Sequence, residues 1–139
     1  MVFQDFKLLN NRTVAENMAL PLEINGEPWS LVRTKTNKML SSLGLGTKEN
    51  FYPDQLSGGE KQRVAIGRAL ISQPDVIVAD EPTGNLDPDL SRDVIEVFQQ
   101  FNSQGTTVFI ATHDHELVKS MKKRVISLKG GELDNVDFI

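Results

Sequence analysis

Cysteine is absent from the 139-residue sequence, which removes disulfides, thiolate metal sites and cysteine nucleophiles and fits a reducing compartment. Positive charge is scarce in clusters: no basic run exceeds Lys122-Lys123-Arg124, and fifteen Lys and Arg against nineteen Asp and Glu give a net charge of −4. The electrostatic footprint of a nucleic-acid binder is missing, so nucleic acid is not an expected partner. No apolar run approaches the roughly 20 residues that span a bilayer, and the first residues lack a basic-then-apolar signal pattern. The expectation is a cytoplasmic chain. Repeats of fixed period and low-complexity tracts are also lacking. What remains, 39% hydrophobic and 24% charged residues, has the balance of a chain that folds around a core, as one compact domain or part of a larger one.

Periodicity and punctuation divide the sequence into a helical half and an α/β half. Met1-Val2-Phe3 reads as a short strand. Thr13-Val14-Ala15-Glu16 has capping-box spacing and predicts a helix from Val14 that ends near Pro21. Asn25-Gly26-Glu27-Pro28 is a turn, and a second helix from about Trp29 to Leu43 closes at Gly44, suited to a left-handed cap. Ser57-Gly58-Gly59-Glu60 repeats the capping spacing and starts a third helix that Pro74 stops. Val76-Ile77-Val78-Ala79, ending in Asp80, reads as a strand covered on both faces of a parallel sheet, and Thr106 to Ala111 as a second buried strand. Between them Asp87-Pro88 opens a helix with Leu90, Val94, Val97, Phe98 and Phe101 on one stripe, ended by Gly105, so the segment is a βαβ crossover. Arg124 to Leu128, Lys129-Gly130-Gly131 and Glu132-Leu133 predict a terminal hairpin.

Four positions in this layout could carry chemistry. Ligands of open α/β sheets sit beyond the carboxyl ends of strands, where Asp80 and Glu81 emerge. Asp80 there could hold Mg²⁺, and Glu81 could orient or deprotonate a water for phosphoryl transfer; a polar strand exit is the plain alternative. Ser57, Gly58 and Gly59 open a helix whose free amides and macrodipole favour a phosphate, though an ordinary N-cap explains them equally. His113, in Ala111-Thr112-His113-Asp114, leaves the second strand at the same edge as Asp80 and could touch a terminal phosphate, or be a surface histidine. Gln4 could ligate a metal or a water through its amide, or be solvated.

The order of these pieces changes their weight. Leu56-Ser57-Gly58-Gly59-Glu60-Lys61-Gln62-Arg63-Val64-Ala65, Val76 to Pro82, Asn85-Leu86-Asp87 and Thr112-His113-Asp114 together resemble the nucleotide-binding subunit of ABC transporters, over essentially the whole sequence. In that family's terms they look like the signature motif, the Walker B strand, the D-loop and the switch histidine, and Gln4 looks like the Q-loop glutamine. Glu81 to Asp87 resembles the branch with lipoprotein-release, macrolide-export and cell-division ATPases. Val2 to Leu9, Thr13 to Asn17 and Ala19 to Leu22 look most like its cell-division members.

The resemblance implies a P-loop NTPase-like α/β fold: a Q-loop segment at 1–10, a helical subdomain with the signature helix at 11–73, and the Walker B, D-loop and switch-histidine part of the core at 74–139. It implies ATP and Mg²⁺ as ligands and two subunits sandwiching two ATP molecules. Asp80 would position Mg²⁺, Glu81 would be the general base, His113 would contact the γ-phosphate, and Gln4 would sense metal and water. Ser57, Gly58, Gly59 and Glu60 would face nucleotide in trans, and Asp87 would meet the opposite subunit. The helical stretch would dock an integral membrane partner. Two departures stand out. G-x-x-x-x-G-K-[ST] occurs nowhere, nor does any Gly-Lys pair, so the expectation is a P-loop lying before Met1 and little activity from these residues alone. Gly67 stands where the family usually has alanine, at a helix cost of about 1 kcal/mol. Alternatives to an ATPase subunit in cell division are a transporter ATPase of the same branch, a non-catalytic partner offering the signature in trans, and a chromosome-maintenance ATPase half. The stretch from Gln4 to Ser57 is too short for the long coiled coil of the last.

Overall fold

The computed structural model describes residues 1–3, 5–84 and 86–138. Gln4, the expected Q-loop glutamine, and Asn85 lie outside the described residues. The helical half is built from α1 (Val14–Ile24), α2 (Trp29–Ser42) and α3 (Gly58–Leu70). Local signals set their ends. Thr13 caps α1 and Glu16 returns the bond, a complete capping box. Gly44, at φ +68, ends α2: its N–H reaches Ser41 O at 3.1 Å and Leu45 N–H reaches Leu40 O at 2.8 Å. That is the paired-bond stop that a left-handed glycine permits.

One boundary departs from expectation. α1 runs three residues past Pro21. A proline removes only the bond from its own nitrogen, and fully buried Leu22 gives the helix reason to continue. Asn25 N–H still closes on Pro21 O at 3.1 Å.

The α/β half contains β1 (Val76–Asp80), α4 (Pro88–Ser103), β2 (Thr107–Ala111), α5 (His115–Met121) and the hairpin β3 (Arg124–Lys129) and β4 (Glu132–Phe138). β1 and β2 pair in parallel with Val76 opposite Thr107 and Asp80 opposite Ala111, so both strands deliver their exits to one edge. The predicted strand at Met1-Val2-Phe3 shrinks to a single bridge: Val2 N–H donates to Val78 O at 2.8 Å, and Asp80 N–H to Val2 O at 3.0 Å. The chain then turns through Phe6 and Lys7, both at positive φ. Gly130 and Gly131, φ +61 and +84, make the hairpin turn, the left-handed pair that matches strand twist.

Two apolar clusters hold the molecule, and α3 serves both. Val64 joins Val14, Met18, Leu22 and Leu40 in the helical half, while Ile66 and Leu70 join Ile77, Val94 and Phe98 beneath the sheet. Among the described residues β1 is covered on one face, where both were expected, and β2 is half-buried at most. Ile77 and Ala79 are buried, whereas Val76, Val78 and Phe109 are 52%, 41% and 46% exposed. α3 and α4 cover one face, and among the described residues nothing covers the other.

Candidate functional site

The parallel register brings Asp80-Glu81 beside Ala111-Thr112-His113. Glu81 N–H continues the ladder one residue beyond β1, donating to Ala111 O at 2.9 Å. Its φ of +45 lies in the left-handed region, unusual without glycine and a mark of a constrained site. This turn sends the carboxylate across the strand exits. Oε1 accepts the His113 N–H at 2.9 Å and sits 2.6 Å from His113 Nδ1; Oε2 accepts the Thr112 hydroxyl at 3.1 Å. Thr112 Oγ1 in turn accepts from Asp114 N–H at 3.1 Å, and Asp114 caps α5, which starts at exposed His115.

The charges follow this geometry. Burial works to raise the Glu81 pKa but is outweighed by the bonds from the His113 ring, the Thr112 hydroxyl and the His113 N–H, so the carboxyl lies below its ordinary value. The hydrogen bond and charge of Glu81 hold the His113 imidazole above its ordinary value. The His113 side chain is 88% exposed and that of Glu81 19%: the carboxylate is seated and the ring is free to turn. Asp80 stands exposed at the end of β1. One carboxylate together with phosphate oxygens and waters is how Mg²⁺ is usually held. No trio of His, Asp or Glu able to hold a metal alone occurs among the described residues.

The second constellation is the start of α3. Ser57 Oγ accepts Glu60 N–H at 3.3 Å, and a Glu60 oxygen accepts Ser57 N–H at 2.9 Å. Glu60 also pairs with Lys48 Nζ, so both its oxygens are engaged within the chain. Gly58 is exposed and Gly59 is buried. A Cβ at Gly59 would lie 2.8 Å from Leu90 Cδ1, so a larger residue there would have to displace the Leu90 side chain of α4. Asp87 Oδ1 accepts from Asp89 N–H and Leu90 N–H at 3.0 and 3.1 Å, capping α4.

Three residues that the motifs did not single out connect these parts. Gln62 is fully buried and its Nε2 donates to Pro82 O at 2.6 Å, tying α3 to the residue after Glu81. The buried positions Gly59, Gln62, Ile66 and Leu70 recur at helical spacing, a period that could have marked Gln62 as an inward-facing amide. Asn17, also fully buried, accepts from Leu9 N–H at 2.8 Å and donates to Leu9, Arg12 and Thr13 carbonyls, fastening the N-terminal loop to α1. Arg68 Nη2 donates to Phe6 O at 3.0 Å. Val2 is thus held on β1 and Phe6 on α3.

The ABC transporter family model matches residues 1–84. Over 131 residues the chain is 51% identical to the cell division ATP-binding protein FtsE of Bacillus subtilis, covering 94% of this chain and 58% of that protein. FtsE of Escherichia coli K12 is 46% identical over 133 residues, 96% of this chain and 60% of its own. The fold superposes on the ATP-binding cassette MJ0796, solved as a dimer in a post-hydrolysis state with ADP and phosphate, at a TM-score of 0.85 and 35% identity. That match covers 99% of this chain and 61% of the cassette. The chain thus spans about three fifths of the length of the relatives it matches.

Proposed function

Because the chain belongs to the ABC transporter family, we propose that it supplies the signature, Walker B, D-loop and switch-histidine elements of an ATP-hydrolysing subunit, FtsE-like, that works in cell division. The observation that carries this reading is the Glu81–His113 pair at the shared exit of two parallel strands, with Asp80 beside it.

Asp80 would hold the Mg²⁺ of a bound nucleotide, and the ion would supply charge neutralisation at the phosphate oxygens. Glu81 is the general base. While His113 donates to Oε1 the carboxylate is a weakened base, since that bond stabilises its ionised form. When the exposed ring turns to the γ-phosphate, Oε1 loses the ring donor while keeping the His113 N–H, and becomes better able to take a proton from the attacking water. Thr112 keeps the other oxygen in place. Ser57 and the amides at the start of α3 face the phosphates of the nucleotide held by the opposite subunit, with the hydroxyl hydrogen of Ser57 directed outward while its oxygen caps Glu60. Asp87 and the start of α4 meet that subunit, and Gln4 senses metal and water.

The assembly is a homodimer, or a pair with a second ABC ATPase subunit. It lies at the cytoplasmic face of the plasma membrane against an integral partner of the FtsX type. Among the described residues no helix is long and apolar enough to cross a membrane. Ile24 and Trp29, at the turn between α1 and α2, are 75% and 70% exposed and suit a partner surface on the helical subdomain. ATP-dependent association tests this reading. The natural-length protein should gain mass on adding MgATP and lose it on hydrolysis, and Ser57→Arg should prevent the gain. Identical mass with and without MgATP would overturn it.

A second reading has these residues serve in trans to a subunit that carries a G-x-x-x-x-G-K-[ST] loop. Association only when such a subunit is supplied would select it.

A further inference from the structure

The capping box at the start of α3 requires an acceptor three residues after Ser57, which glutamate or glutamine supplies equally well. This chain has glutamate. A full negative charge therefore sits one turn from amides whose proposed task is to face a phosphate, where it opposes the anion that the helix dipole attracts. The structure contains an answer to that conflict. Lys48 Nζ pairs with Glu60 Oε1, the oxygen not used on Ser57. The side chains are 32% and 16% exposed, so solvent screens the pair little.

Lys48 does not belong to the signature helix. It ends a short 3₁₀ turn, Gly46–Lys48, and the next residues brace the start of α1: Ala15 N–H donates to Glu49 O at 3.0 Å and Val14 N–H to Phe51 O at 2.8 Å. Lys48 N–H closes on Leu45 O at 2.9 Å, and its ammonium lies 5.7 Å from the centroid of the Phe51 ring. Backbone and ring together aim the ammonium at Glu60. The Lys48 hydrogen bond is the largest influence on the Glu60 carboxyl and holds it below its ordinary value against the opposing effect of burial.

We propose that Lys48 is a positioning residue for the phosphate-facing end of α3: it neutralises Glu60, so that the carboxylate fixing the Ser57 backbone does not repel the nucleotide. The proposal rests on the reading of the chain as an ABC ATPase subunit. An ion pair that merely tied the 46–48 turn to α3 would matter for folding whatever residue stood at position 60 and would leave phosphate recognition alone.

The test is a double-mutant cycle on the natural-length protein, with a P-loop-bearing ABC ATPase subunit added if association requires one. The ATP concentration giving half-maximal association is measured with Mg²⁺ present. Lys48→Met should raise it about tenfold, the size expected of one partly buried charge at a helix terminus, while Lys48→Arg keeps it near the starting value. In the Glu60→Gln background, which retains the capping bond without the charge, Lys48→Met should change it by about twofold or less. An equal shift in both backgrounds, or none in either, would overturn the role of charge while leaving the ATPase reading intact. Failure of the unaltered protein to associate with MgATP would overturn both.

Discussion

Glu81 Oε1 lies 2.6 Å from His113 Nδ1, and the same oxygen accepts the His113 backbone N–H at 2.9 Å. The pair makes the site pH-dependent from two sides. The Glu81 pKa is depressed from 4.5, so its contribution is present above 4.5 and lost as pH falls through the lower folded value. The His113 pKa is raised from 6.5, so its contribution is complete below 6.5 and is lost as pH rises through the higher folded value. NMR titration of His113 should give a midpoint above 6.5, returning toward 6.5 in Glu81→Gln. A midpoint at or below 6.5 in the unaltered protein would show that the pair does not form.

Gln62 offers a cleaner energetic test because its partner is a backbone carbonyl. Gln62→Leu keeps most of the volume and leaves Pro82 O without its 2.6 Å donor. Gln62 Oε1 is itself buried without a partner, so its removal offsets part of the cost of the orphaned Pro82 acceptor, and urea unfolding should show a net loss of about 1 kcal/mol. A loss below about 0.5 kcal/mol would mean that α3 and the Glu81 turn are held by packing alone.

Gly67 reverses a simple propensity argument. Alanine there should gain about 1 kcal/mol of helix stability. A Cβ at that position, however, would lie 2.6 Å from Leu43 Cδ1 and from Met18 Cε and Sδ, side chains in the buried helical core. Overpacking costs about 1–3 kcal/mol, so Gly67→Ala should destabilise by about 1 kcal/mol net. Met18→Ala costs more by itself, but it removes one of the two crowding side chains and leaves Leu43, so in that background Gly67→Ala should cost less than in the unaltered protein. An equal cost in both backgrounds would refute this reading of the glycine.

The helix starts, the glycine stops and the strand–helix–strand unit were readable because each depends on residues three or four apart or on one apolar stripe. Thr13 with Glu16, Ser57 with Glu60, Asp87 with Pro88 and Gly44 are such signals. The end of α1 was not, because the burial of Leu22 outweighs the local effect of Pro21. The open face of β1 and β2 was not either: an apolar run such as Val76 to Ala79 shows that a strand can be covered, and only its neighbours decide how far. Of the site, the motifs marked Asp80, Glu81, His113 and the start of α3. The supports came from elsewhere in the chain, with Lys48 twelve residues before Glu60 and Gln62 twenty before Pro82, separations at which no periodicity links one residue to another.

The proposed function turns on Glu81 activating the water that attacks ATP. Its most direct test is single-turnover hydrolysis of MgATP by the natural-length protein, assembled with a P-loop-bearing subunit if its association requires one. Glu81→Gln keeps the side-chain shape and the bond from the His113 N–H but cannot take a proton. Bound ATP should then persist and the rate of phosphate formation should fall about a hundredfold or more. Phosphate formed at the unaltered rate by Glu81→Gln would contradict it.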